Sequence, residues 1–175
     1  SETNMKKLLP ILTILLIVTI ISIIFISMAK EQKMIVVKEG NISQTPIEMV
    51  LGKYQDSDCG MVINDLTYAS QVVSSDGKTW FFHDHGGMAN WLNQKDEKFK
   101  SSIKIFVMTK DSKKYIEAKN AFFSTSEETP MRFGFGAYEN SGENLISFDE
   151  MALKVLRKET LANPNFKHNN HSEQK

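Results

Sequence analysis

The sequence predicts an α+β fold: two pseudo-repeated strand-strand-helix units in one small domain, preceded by one transmembrane helix. Three observations predict it. Leu8 to Met28 is an almost unbroken apolar run. Between Tyr68 and Leu92, two strand-like segments flank a turn and lead into a helical apolar stripe. Between Met131 and Leu156 the same order recurs in looser form.

The apolar run is built from Leu, Ile, Val and Phe, interrupted by Pro10, Thr13, Thr19, Ser22 and Ser27. About 20 residues match one bilayer crossing. Lys6 and Lys7 precede it; Met5 is the expected start, with Ser1 to Asn4 an upstream overhang. Length favours an anchor, while the small-x-small pattern Ser27-Met28-Ala29 keeps a cleaved signal open. Lys30, Lys33 and Lys38 nearly balance the amino-terminal charges, so orientation rests on the short leading flank, which puts the bulk of the chain on the extracytoplasmic face. Lys30 to Val37 reads as a stalk or first strand and Glu39 to Pro46 as a linker, so that residues 30–50 precede a domain over 51–160. Its units cover about 54–95 and 100–158. Residues 161–175 lack periodicity and are expected to be a disordered tail. His168 and His171 lie there, with no third ligand within reach.

Composition removes some classes. The chain has 21 basic and 21 acidic residues and no net charge, so nucleic-acid binding has no electrostatic footprint. Cys59 is the single cysteine. An internal disulfide is therefore excluded, and Cys59 is inert, reactive or a metal ligand.

In the first unit, Tyr68 to Val73 and Thr79 to His83 flank the turn Ser75-Asp76-Gly77-Lys78. Asp84 is placed to cap a helix whose Met88, Trp91 and Leu92 share one face. Ile103 to Met108 alternates as a strand, and Tyr115 to Phe123 reads as another. In the second unit, Met131 to Tyr138 is a strand, Asn140-Ser141-Gly142-Glu143 a turn, and Asn144 to Phe148 a short strand. Ser147 and Glu150 then form a capping box, followed by the stripe Met151, Val155, Leu156.

Asp58-Cys59-Gly60-Met61 carries the most chemistry. In an extended segment, residues two apart project to one side, so Cys59 and Met61 would present a thiol and a thioether together. Such soft ligands select cuprous copper over hard ions. Thr129-Pro130-Met131 offers a second thioether at the start of the second unit. Cysteine and methionine are equally ordinary core residues, and packing alone would explain Cys59-Gly60-Met61. His83 and His85, two apart at a strand end, either complete such a site or are simply hydrogen-bonded. Asp84 and Asp149 are explained as caps, and Met34, Met49, Met88, Met108 and Met151 as packing or leader-adjacent residues.

Cys59-Gly60-Met61, the Asp76-Gly77-Lys78 turn, Phe82-His83-Asp84, Met88-Ala89-Asn90-Trp91-Leu92, Thr129-Pro130-Met131 and Ser147-Phe148-Asp149-Glu150 stand in an order that resembles the NosL family. The resemblance runs from about Gln55 to Leu156. It implies a copper chaperone rather than an enzyme, holding a cuprous ion outside the cytoplasm and serving nitrous oxide reductase or its maturation machinery, with a fold like the paired units of organomercurial lyase. It makes Cys59 the thiolate ligand, Met131 the thioether partner, and Met61 either a ligand or a neighbour of the ligands. This chain departs from the family in three places. The leader lacks the cysteine of a lipoprotein, Gly87 stands where a cysteine often precedes the helix methionine, and Tyr138 to Asn144 replaces a longer segment. Two other classes stay open: a thiol enzyme with Cys59 as nucleophile and His83 or His85 as base, and a structural or sensory membrane subunit with an inert Cys59.

Overall fold

The computed structural model describes residues 2–28 and 33–166; the Ala29 end of the leader junction, residues 167–175 and the tail histidines His168 and His171 lie outside them. The chain divides into two compact units, a helix and the domain that begins at Met34.

Helix α1 spans Glu2–Met28, and its stretch Leu8–Ser27 is the one described helix long and apolar enough to cross a membrane. At 1.5 Å per residue those 20 residues cover about 30 Å, the depth of a hydrocarbon core. A signal sequence has the same properties. The hydroxyls of Thr13, Thr19 and Ser22 donate to the carbonyls of Pro10, Leu15 and Val18 at 2.8, 2.7 and 2.8 Å, so these polar side chains need no outside partner in an apolar medium.

In the domain, β1 (Val37–Lys38), β2 (Ser70–Val73), β3 (Thr79–Phe82), β4 (Lys104–Met108) and β5 (Tyr115–Glu117) form an antiparallel sheet in the order β1-β3-β2-β4-β5. The β2–β3 hairpin has the expected turn: Gly77 takes φ +82, a conformation glycine adopts freely. A side chain there would also collide with Ile42, since a Cβ would lie 2.7 Å from its Cδ1. Helix α2 (His85–Asn93) follows β3 and packs on β2 and β3. Asp84 caps it as expected, accepting from Gly86 N at 2.9 Å. After the short α3 (Glu97–Lys100), β4 returns beside β2.

Period-two alternation sends successive side chains of β3 to opposite faces. Phe82 joins the main core with Val72, Met88, Leu92, Val107, Phe123, Phe135 and Met151. Phe81 faces a second cluster with Met49, Tyr54 and Ile63. That second face accounts for residues 34–50, expected as stalk and linker, being packed onto the domain. Gln71 reaches across to them, donating to Ile47 O at 2.7 Å and accepting from Ile47 N at 2.8 Å. Gln44 donates to Val73 O and Ser102 O at 3.1 and 3.2 Å, and Asn41 to Thr79 Oγ1 at 3.0 Å.

The second half departs from a simple repeat. Tyr115 to Phe123 is not one strand: after β5 the chain makes a 3₁₀ turn over Ala118–Asn120 and enters β6 (Phe122–Phe123) of another sheet. Of the expected strand from Met131, only β7 (Ala137–Tyr138) pairs. Arg132 and Gly134, at φ 61 and φ 93, break the extension before it. β7 and β8 (Ile146–Ser147) do not form a hairpin; both pair with β6, giving the order β7-β6-β8. A strand leading into a capped helix does recur. Ser147 accepts from Glu150 N at 3.3 Å at the start of α4 (Phe148–Leu156), which packs against α2.

Candidate metal centre

Residues 54–63 form a tight loop rooted in the second core by Tyr54 and Ile63. Ile63 N donates to Tyr54 O at 2.9 Å, Asp56 N to Met61 O at 2.8 Å and Gly60 N to Asp56 O at 2.9 Å. Gly60, at φ 78, is the left-handed residue that closes the turn. The extended-strand expectation for Cys59 and Met61 therefore fails, because the residue between them is not extended. Met61 points outward and is 56% exposed.

Asp56 organises the loop from inside. It is almost wholly buried. One oxygen accepts from Asp58 N at 2.7 Å and Cys59 N at 3.0 Å, the local side-chain-to-backbone pattern that fixes Asx turns. The other accepts from His83 N at 2.8 Å and lies 2.5 Å from His83 Nδ1. Burial acts to raise this carboxyl's pKa, yet the bonds from His83, Cys59 and Asp58 hold it below the usual carboxylate range. The loop is also tied to β3, Ser57 N donating to Phe81 O at 2.8 Å.

Cys59 Sγ then lies 4.0 Å from His83 Nδ1. Ligating atoms of Asp56, Cys59 and His83 all fall within 4.8 Å of one another, the spacing of a potential metal centre. The Cys59 side is solvent-facing and the other two residues are buried. Partial burial of the sulfur, together with the carboxylates of Asp56 and Asp58, raises the thiol pKa, with the Met61 N–H pulling the other way. His83 is 6% exposed, and its Nε2 is buried with no hydrogen-bond partner. A buried polar atom left unpaired costs about 1–3 kcal/mol, and His85 Nε2 is in the same state.

Met131 approaches from the second half of the chain. Its N–H donates to Asp84 Oδ2 at 2.9 Å, so the carboxylate that caps α2 also fixes Thr129-Pro130-Met131. A Cβ on Gly87 would lie 3.1 Å from Met131 Sδ and 3.6 Å from Asp58 Oδ2. The thioether therefore sits over the first turn of α2, beside the residue that precedes Cys59. Asp58 is held there by Asn90 Nδ2, at 3.2 and 3.3 Å from its two oxygens.

His85 does not share this site. The chain turns from strand to helix at Asp84, and His85 opens α2 in the main core, fully buried. Its Nδ1 lies 2.7 Å from Ser70 Oγ, and Tyr68 and Phe123 meet its ring edge-on. Burial holds its pKa down, to about 3, against a weaker upward pull from Glu127. Of the residues singled out in the sequence, the structure brings Cys59, His83 and Met131 to one region, leaves Met61 on the outer surface beside it, and puts His85 elsewhere.

Asp56 was missed by sequence reading, and so was the second role of Asp84. The available signal was the spacing Asp56-x-x-Cys59, since an aspartate two or three residues before a turn residue commonly bonds that residue's N–H. Nothing local announced that the same carboxylate would reach His83. Comparison with family models, curated proteins and solved structures finds no match to this chain.

Proposed function

We propose that this protein is a membrane-tethered, extracytoplasmic chaperone that carries a cuprous ion as cargo and delivers it for nitrous oxide reductase assembly. The observation that carries the reading is the meeting of Cys59, His83 and Asp56 in one cluster; Met131 Sδ and Asp58, the residue before Cys59, both lie close to Gly87 in the first turn of α2. A thiolate, a thioether and an imidazole are ligands suited to a soft monovalent ion, and four Cys/His ligands of a closed zinc site are not present among the described residues. Cys59 supplies the anionic donor, Met131 the thioether and His83 a nitrogen, with Met61 at the solvent side. An exposed thiol over buried supporting groups suits a site that must both take up and release its ion. The recipient and the extracytoplasmic side rest on the resemblance to the NosL family, and the apolar helix α1 supports only the tether. The recurring strand-to-capped-helix corners at Asp84 and Ser147 fit an ancestral duplication.

The thiol-enzyme reading has less in its favour. A general base needs a free ring nitrogen facing the sulfur, but the nitrogen nearest Cys59 is the one engaged by Asp56. The thiol pKa is moved away from activation.

Competition titration against a cuprous chelator under reducing conditions tests the reading. One cuprous ion per chain is expected, bound in preference to zinc. Retention of zinc over copper, or no cuprous binding, would overturn it.

A further inference from the structure

The buried carboxylate at position 56 stands outside any ligand role assigned so far, and its geometry is specific. One oxygen holds the turn that carries Cys59, through Asp58 N and Cys59 N at 2.7 and 3.0 Å. The other meets both the backbone N–H and Nδ1 of His83, at 2.8 and 2.5 Å. Each contact on Asp56 is thus with a group that donates, or would donate, a proton to it. An acceptor at Nδ1 requires that nitrogen to carry the hydrogen, which leaves the lone pair of a neutral imidazole on Nε2. That atom is buried and unpartnered.

We infer that Asp56 is a positioning residue for the candidate metal centre: it locks His83 in the Nδ1–H tautomer, so that Nε2, and not the Nδ1 that lies 4.0 Å from Cys59 Sγ, is the nitrogen left with a lone pair for a soft metal ion, while the same carboxylate sets the Cys59 turn. This rests on the metal-binding reading above. Metal-bound histidines commonly donate their second ring N–H to a carboxylate, which fixes ring orientation and strengthens the donor nitrogen, and losing that partner typically lowers metal affinity 10–100-fold. Here one side chain constrains two donors, 24 residues apart in sequence, before any ion arrives. Asp56 itself does not need to touch the ion.

The test has two arms on the full chain in mild detergent. In the metal-free protein, nitrogen-15 NMR of the histidine ring at alkaline pH, assigned by loss of the signal in His83→Gln, reports which ring nitrogen bears hydrogen. Nδ1–H is expected in the unsubstituted protein. Asp56→Asn, whose amide N–H₂ must face either the Asp58 and Cys59 N–H groups or those of His83, disturbs one donor whichever way it turns and is expected to lower cuprous affinity 10–100-fold in chelator competition. Asp56→Glu, which keeps the acceptor, should retain the tautomer. An Nε2–H tautomer in the unsubstituted protein overturns the inference whatever the variants do, as does unchanged copper affinity in a folded Asp56→Asn. Absence of cuprous binding by the unsubstituted protein overturns the metal-binding reading instead, and the tautomer still reports on Asp56 by itself.

Discussion

Acid should destabilise this domain through His85, and the size of the effect follows from its burial. In the folded chain the ring is fully enclosed and stays neutral, its pKa depressed from 6.5 to about 3. The unfolded chain takes up a proton at the ordinary value. Above that value both states are neutral and His85 contributes no pH dependence. Below it, the unfolded state binds a proton that the folded state refuses, so stability falls as the pH drops from 6.5 toward 3. Each pH unit well inside that window removes about 1.4 kcal/mol, and lowering the pH to 5 removes about 2 kcal/mol. The charged or ionisable group pulling the other way is Glu127, whose attraction for a protonated ring is outweighed by the desolvation. The assay is urea unfolding followed by emission of Trp80 and Trp91, in mild detergent, at several pH values. His85→Asn keeps a polar atom for Ser70 and removes the titration. Its stability at neutral pH should be lower because of the cavity left by the ring, but its decline between pH 6.5 and 5 should be shallower by about 2 kcal/mol. Parallel curves for the two proteins would refute the reasoning.

Copper affinity should fall most in Cys59→Ser, less in Met131→Leu and least in Met61→Leu, because a thiolate is anionic, a thioether is neutral, and Met61 points outward; normal binding by Cys59→Ser in chelator competition would move the site elsewhere, with His168 and His171 the first suspects. Gly87→Ala should separate stability from binding. Alanine favours the helix by up to about 1 kcal/mol, yet its Cβ lies 3.1 Å from Met131 Sδ and displaces the thioether, so the melting temperature should hold or rise while cuprous affinity drops several-fold. Glu127→Gln should lower stability by about 1–2 kcal/mol, read as a lower denaturation midpoint. Its carboxylate accepts from Tyr68, Ser124 and Tyr138 at 3.0, 2.6 and 2.6 Å and pairs with Lys110, and the substitution leaves that ammonium without its counter-charge.

Much of the fold was legible because its signals are local. The apolar run announced α1, Gly77 marked the hairpin turn, and Asp84 and Ser147 stood at the helix caps where their side chains bond exposed N–H groups. Ile103 to Met108 alternated and became β4. The errors came where pairing is decided at a distance. Tyr115 to Phe123 has continuous strand propensity, but propensity does not say that the chain will change sheets at Ala118. β7 and β8 look like a hairpin until β6 is found between them. Polar residues 39–46 looked like a tether because the amides of Asn41 and Gln44 have no visible partner until β2 and β3 come up beside them.

The same division runs through the candidate metal centre. Sequence by itself determined the donor types, with one thiol, thioethers at 61 and 131 and histidines at 83 and 85, since softness is a property of the side chain. It also determined that Asp84 would start a helix, since a cap acts within two or three residues. Only the tertiary structure decided which donors meet. Asp56 and His83 are 27 residues apart, and Asp84 and Met131 are 47 apart. Such bonds form when burial leaves a carboxylate no water to bond and presents it with another chain segment's N–H. The turn at Gly60 and the change from strand to helix at Asp84 then rotated Met61 and His85 away, which a two-residue spacing could not foresee because that period holds only while the backbone stays extended.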